Sequence, residues 1–152
     1  MIYLDSCALV KLIRTEDGSS ALQGWLDERC DELAVTSALS RAEVLRTIRR
    51  NNHRETGELI DPAALAAELA EAAEVLAAVA QVAVDSDILD RAGALTAPMM
   101  RTLDAIHLVS AAEWDSSDVA LVTYDRRLAA AATDAGMAVI APADYPPSCS
   151  GP

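Results

Sequence analysis

The stretch MIYLDSCALVK (residues 1–11) decides how this chain is read. An apolar run with one Tyr stops at Asp5, a small polar Ser6 follows, and apolar residues resume. A short continuous apolar run fits a strand buried on both faces, which is the signature of a parallel sheet rather than a half-solvated antiparallel one. Asp5 then stands at the carboxyl end of that strand, the rim where parallel α/β sheets bind ligands. A plainer role competes: Asp before a helix is a preferred N-cap, worth about 1 kcal/mol. ALVTYD repeats the arrangement, with Asp125 closing an apolar run ahead of another helix. Two parallel neighbours of this kind would bring both carboxylates to one rim.

Working outward, MIYLD reads as a strand and SCALVKLIR as a helix, followed by a turn at EDGSS and a helix in ALQGWLDERC. ELAVTS is a second strand and LSRAEVLRTIRRNNHR a helix. Asp61 caps a long Ala/Leu helix running to Gln81, with Pro62 at its first position, where proline is favoured. QVAVD is a third strand, SDILDRAGALTA a helix stopping at Pro98, and TLDAIHLVSAAEW another helix. VALVTYD is a fourth strand, RRLAAAATDAG a helix closed by Gly136, and MAVIAP a fifth strand. The alternation predicts a three-layer α/β/α sandwich around a mainly parallel five-stranded sheet. One domain is expected over residues 1–143, with 144–152 a short tail.

Apolar residues make up 52% of the 152, enough for a sizeable core, but aromatics are only 3% and Phe is absent, so Ala, Leu and Val must fill it. No uncharged apolar run reaches the length of a membrane span, and Asp5 interrupts the start before it could serve as a signal peptide. Cys7, Cys30 and Cys149 make neither a zinc pattern nor a disulfide framework, which suggests a reducing cytoplasm. The net charge of −12 argues against a general nucleic-acid binder, since phosphate contacts need Lys and Arg. The basic residues are unevenly placed, however. Arg46, Arg49, Arg50 and Arg54 recur at helical spacing, His53 beside them, on a segment that Glu43 leads. That strip is either an RNA contact or a solvated face paired with the many acids.

Two further acids stand out. Glu43 fits a capping box with Ser40, and Asp104 fits the first turn of a helix, where the dipole favours an acid and Thr102 could cap. His107 lies three residues after Asp104 on the same helical side, but its apolar surroundings favour a structural histidine hydrogen-bonded in the core.

Taken together, LDSCALVKL, SRAEVLR, TLDAIHLVSA and VTYDRRL match, in order and flanks, the motifs of the PIN domain, and the chain most closely resembles VapC ribonuclease toxins from Met1 to about Ala143. The resemblance assigns the family's acidic residues to Asp5, Glu43, Asp104 and Asp125, with Ser6 and Thr123 as supporting hydroxyls. Ser6 stands where Thr is frequent and keeps the hydroxyl. Cys7 stands where Ser or Ala is common, with no evident consequence. The implied activity is RNA cleavage leaving a 3′-hydroxyl and a 5′-phosphate. The implied partner is a VapB-like antitoxin whose tail covers the acidic site, and a homodimer is expected.

Converging carboxylates repel: at about 4 Å and an effective dielectric near 20, each pair costs roughly 4 kcal/mol. Such a cluster binds protons or a cation, and hard oxygen donors suit Mg²⁺, with Mn²⁺ as a substitute. Asp5 and Asp104 are the expected nearest ligands, Glu43 the residue that orients or deprotonates water, and Asp125 a contributor to a second ion or water shell; Arg46, Arg49 and Arg50 are the expected RNA contacts. Three other readings stay open: a housekeeping RNA-processing nuclease on the same fold, a phosphoryl-transfer protein using Asp5 as acceptor, and a noncatalytic binding module. The second lacks the D-x-D or adjacent acidic pair that such proteins carry.

Overall fold

The computed structural model describes residues 1–97 and 99–143. The expected tail and the stop at Pro98 lie outside the described residues.

Five short strands and seven helices alternate along the described residues. β1 (Ile2–Leu4) leads into α1 (Ser6–Ile13) and α2 (Ser19–Asp27), then β2 (Ala34–Ser37), α3 (Ser40–Asn51) and α4 (Pro62–Ala78). β3 (Ala80–Val82), α5 (Ser86–Gly93) and α6 (Thr102–Ala111) follow, then β4 (Ala120–Val122), α7 (Arg126–Asp134) and β5 (Ala138–Ile140). The strands form one sheet in the order β3-β2-β1-β4-β5, and every pairing is parallel. The expectation of a mainly parallel sheet is met in full.

Alternation in β1 splits the core in two. Ile2 and Leu4 face a cluster with Leu9, Leu22, Val44, Ile48 and Leu76, drawn from α1 to α4. Tyr3 faces the other way, with Leu108, Leu121, Leu128 and Met137 from α6, β4, α7 and the start of β5's segment. Helices therefore cover both faces, the arrangement that continuous apolar strands require. α5 packs through Ile88 against Ile106 and Val109 of α6.

An aspartate side chain caps the amino end of four helices, α1, α4, α5 and α7. Asp61 accepts from the amides of Ala63 and Ala64, with Pro62 in the first turn of α4. Gly136 follows α7 with φ 81, a left-handed conformation that glycine adopts without steric cost. Two expected caps are absent. α3 begins after Leu39 with no side-chain cap, because the Ser40 hydroxyl is drawn inward to Thr36 Oγ1 at 2.6 Å. The capping box between Ser40 and Glu43 is therefore not formed. α6 is preceded by Arg101, and Thr102 is its first residue rather than its cap. α5 also ends at Gly93, short of the expected Ala97.

The strand order reverses between β1 and β4, whose carboxyl ends lie side by side. Ligands bind at such a point in open parallel sheets.

Candidate active site

Asp5 follows β1 directly and caps α1: its Oδ1 accepts from the Ala8 amide at 2.9 Å. The local role offered by the sequence is therefore real, but it is only part of what Asp5 does. Its other oxygen, Oδ2, accepts a short hydrogen bond from Thr123, the residue that follows β4. Thr123 Oγ1 in turn accepts from the Asp125 amide at 3.0 Å. One buried hydroxyl thus ties the ends of two neighbouring strands together, with Asp5 4% and Thr123 1% exposed. Asp125 caps α7 through the amides of Arg127 and Leu128.

Cys7 matters more than its sequence position suggested. Its thiol donates to Asp5 Oδ1 at 2.9 Å, and its sulfur accepts from the Tyr124 amide at 3.2 Å. Burial, then the charge of Asp5, pushes the thiol pKa up to about 12, so it remains a donor.

Glu43 enters from α3 on the other side of β1. Its Oε2 accepts from Ser6, at the start of α1, and lies 2.7 Å from His107 Nε2 on α6. Burial by itself would raise the Glu43 pKa. Hydrogen bonds from His107 and Ser6, and the His107 charge, more than offset this and hold it below the usual value.

Asp104, on the first turn of α6, is the acid with unmet valence. Its Oδ2 is buried with no hydrogen-bond partner. Burial raises its pKa first and the Asp125 carboxylate adds to that, with Glu43 contributing, while Arg101 and His107 oppose. All four acids, with Ser6, Arg101 and His107, line one concavity of about 280 Å³.

Residues 2–134 match the family model described as PIN domain. The chain belongs to the PIN domain family. Ribonuclease VapC35 of Mycobacterium tuberculosis is 42% identical over 144 residues, covering 93% of this chain and 97% of that protein. Ribonuclease VapC46 of the same species is 42% identical over 143 residues, with the same coverage. Among solved structures, VapBC2 from Rickettsia felis, bound to a DNA fragment from its promoter, superposes with a TM-score of 0.64 at 12% identity, covering 93% of this chain and 98% of that one. At that identity the likeness speaks for the fold alone.

The PIN architecture thus draws the four sequence-predicted acids to one pocket, along with Ser6; Thr123 stands behind Asp5. Among the described residues, no three His, Cys, Asp or Glu side chains form a ready metal cage. The donor set nevertheless fits a hard divalent cation. All the candidate ligands are carboxylates, one oxygen is orphaned, and the neighbouring acids repel it. Mg²⁺ needs only one or two protein carboxylates and keeps its waters.

The expected basic contacts lie elsewhere on α3. Arg46, Arg49 and Arg50 are exposed, and among the described residues none has an ion-pair partner. With Thr47, His53 and Arg54 they border a larger, open hollow of about 700 Å³. α3 ends at Asn51, so His53 and Arg54 join the strip from the following turn, where Arg54 pairs with Glu58 at 3.4 Å.

Sequence reasoning missed Tyr3, whose hydroxyl lies 2.9 Å from His107 Nδ1. The period-two alternation of β1 already sets Tyr3 on the face opposite Ile2 and Leu4, the one available signal. Arg101, immediately before α6, was also overlooked.

Proposed function

We propose that this chain is an endoribonuclease toxin of a VapBC-type toxin–antitoxin pair that hydrolyses RNA phosphodiesters with the help of a divalent ion, Mg²⁺ first and Mn²⁺ as substitute. The observation that carries the proposal is the unpaired, buried Oδ2 of Asp104 in a pocket shared with three other carboxylates. Kinship with proteins named VapC ribonucleases supplies the substrate class.

In this proposal Asp5 and Asp104 hold the ion, with Glu43 and Asp125 reaching it directly or through water. When bound, the ion supplies positive charge to a phosphate oxygen and lowers the pKa of water. Asp5 is suited to a fixed role because the Ala8 amide, Cys7 and Thr123 immobilise both of its oxygens. Glu43 is a carboxylate at neutral pH, its pKa held low by His107 and Ser6. A weak base of that kind orients an attacking water better than it removes its proton.

Arg46, Arg49 and Arg50 would bind RNA phosphates, their exposed guanidinium forks suiting phosphate oxygens. They compensate locally for a net charge of −12 that repels RNA as a whole. Single-stranded or looped RNA is the favoured substrate, since bases in a duplex are hard to reach. The partner is a VapB-like antitoxin, and a cationic side chain from it would satisfy the acid pocket. Exposed Met99 and Leu103, the latter lining the acid pocket, offer apolar surface to that antitoxin or to a second copy in a homodimer. The nuclease domain runs from residue 1 to 143. A cytoplasmic location agrees with the free Cys7 and Cys30. Among the described residues, no helix is long and apolar enough to cross a membrane.

Sequencing of RNA ends generated in Mg²⁺ by the wild type and by Asp5→Asn tests the proposal. The wild type should leave discrete new ends that the variant does not. Equal cleavage by the two would remove Asp5 from the centre.

A further inference from the structure

Behind Glu43 runs a chain of buried polar groups that the proposed chemistry does not use. His107 is 3% exposed and Tyr3 fully buried. Tyr3 OH lies 2.9 Å from His107 Nδ1, and His107 Nε2 lies 2.7 Å from Glu43 Oε2. The two rings meet edge to face, 83° apart with centroids at 6.0 Å. The chain begins in β1, crosses α6 and ends on α3, joining three elements far apart in sequence.

Its direction follows from which groups can donate. The Glu43 carboxylate only accepts, so the 2.7 Å contact requires the imidazole proton on Nε2. Nδ1 of the neutral ring is then the acceptor, and the Tyr3 hydroxyl donates to it. Burial drives the phenol pKa upward, so Tyr3 keeps the proton it donates. A doubly protonated ring presents the same Nε2–H to Glu43, so the geometry does not depend on the charge of His107. Ser6 has one hydroxyl proton, and the carboxylate, which only accepts, takes it. Oε2 of Glu43 therefore receives two donors, and among the described residues Oε1 accepts none.

We infer that His107 and Tyr3 are positioning residues: together with Ser6 they clamp Oε2 of Glu43, so that Oε1 is presented to the acid pocket in one orientation. The inference rests on the reading of Glu43 as the water-orienting residue. A free Glu samples many rotamers, and fixing it in advance removes an entropic cost from the reactive geometry. His107 touches no reacting group and acts only through Glu43. The structural histidine expected from the apolar flanks is thus buried as anticipated, but its second nitrogen serves the site.

Two measurements test this. In metal-free wild type, ¹⁵N spectra of the imidazole should show a proton on Nε2. A ring protonated on Nδ1 alone in the wild type overturns the inference. In RNA cleavage, His107→Ala should lower kcat by about tenfold to a hundredfold, a scale typical of a displaced catalytic group. KM should stay within about twofold, as expected when only transition-state interactions are lost. His107→Gln, whose amide can donate to Glu43, should restore most of the rate. A folded His107→Ala with wild-type kcat, or a Gln variant as impaired as the Ala one, sinks the proposal. If His107→Ala does not fold, Tyr3→Phe carries the kinetic test: it should lower kcat with KM held, and an unchanged kcat counts against the clamp. A wild type that cleaves no RNA refutes the ribonuclease reading instead, and the tautomer measurement still decides the hydrogen-bond chain.

Discussion

Asp104→Asn should make the metal-free protein more stable. Asp104 Oδ2 is buried without a donor, and burial together with the Asp125 and Glu43 carboxylates works against its charge. Asn leaves a neutral polar group in the same place, so the gain is the relief of charge alone. The rest of the side chain reaches solvent, which screens the repulsion and keeps the gain to about 1 kcal/mol. For a chain of this size that corresponds to roughly 2–4 °C in Tm. The pH dependence has a definite sign. Because folding raises the Asp104 pKa above its ordinary 3.8, the folded state holds its proton more tightly than the unfolded one. Wild-type stability is therefore intact below the ordinary value and falls as pH rises through the raised one. The advantage of Asn should be largest at neutral pH and close in acid. Thermal unfolding in EDTA across pH measures this. Adding Mg²⁺ should reverse the order. A ligand at ten times its Kd stabilises the state it binds by about 1.4 kcal/mol, and the wild type should gain more than the variant. A variant less stable than wild type in EDTA, or an equal gain from Mg²⁺ in both, refutes the account of Asp104 as a repelled ligand.

Thr123→Val removes the hydroxyl that donates to Asp5 and accepts from the Asp125 amide. Urea unfolding should show a loss of about 2 kcal/mol, typical for a hydrogen bond to a charged group, with an unchanged m value. Glu43→Gln should act oppositely to Asp104→Asn in pH: the lowered Glu43 pKa contributes stability that is present above its ordinary 4.5 and lost as pH falls through the lowered value. The Gln variant should thus be less stable than wild type at neutral pH and converge with it in acid; a constant gap at every pH contradicts this. Arg46→Ala with Arg50→Ala should reduce the salt slope of single-stranded RNA binding by about 1.4, at roughly 0.7 for each phosphate no longer neutralised. Identical slopes would return the strip to the role of a solvated face.

Much of the fold was legible because several signals agreed. In MIYLD and ALVTYD an apolar run, an acid and a helix follow one another, so strand, cap and rim position are all implied locally. The five strands and seven helices appear where the periodicity sets them, trimmed by one to four residues at many of their ends, while α2 and β3 begin two residues and one residue earlier than expected. Helix ends were less legible where side chains found distant partners. Ser40 has the spacing of a capping box, but Thr36 lies within reach across the β2–α3 turn and takes its hydroxyl. No local pattern reports that competition, since Ser6, also close to Ser40 at 3.2 Å, is more than thirty residues away in sequence.

The same limit explains the site. Each acid looked ambiguous by itself because two of them truly are caps, Asp5 for α1 and Asp125 for α7. Capping a helix and lining the shared pocket are not alternatives here. A cap fixes the carboxylate against the first turn of a helix, and a parallel sheet aligns such turns along one rim, so the fold places immobilised acids side by side. Repulsion then falls most heavily on the acid without donors. Asp104 is that acid, because it sits within the first turn of α6 rather than before it and finds no amide to accept from. If a cation is what relieves it, giving Asp104 a donor of its own should weaken Mg²⁺ binding even though no other carboxylate is touched. A charge-conserving relocation, Asp104→Glu, keeps the acid but moves it by one methylene, and should leave metal-free stability close to wild type while lowering the response to Mg²⁺. Equal Mg²⁺ stabilisation of the Glu variant and the wild type would show that the position of that oxygen, and hence the cap-and-rim geometry, does not govern the ion.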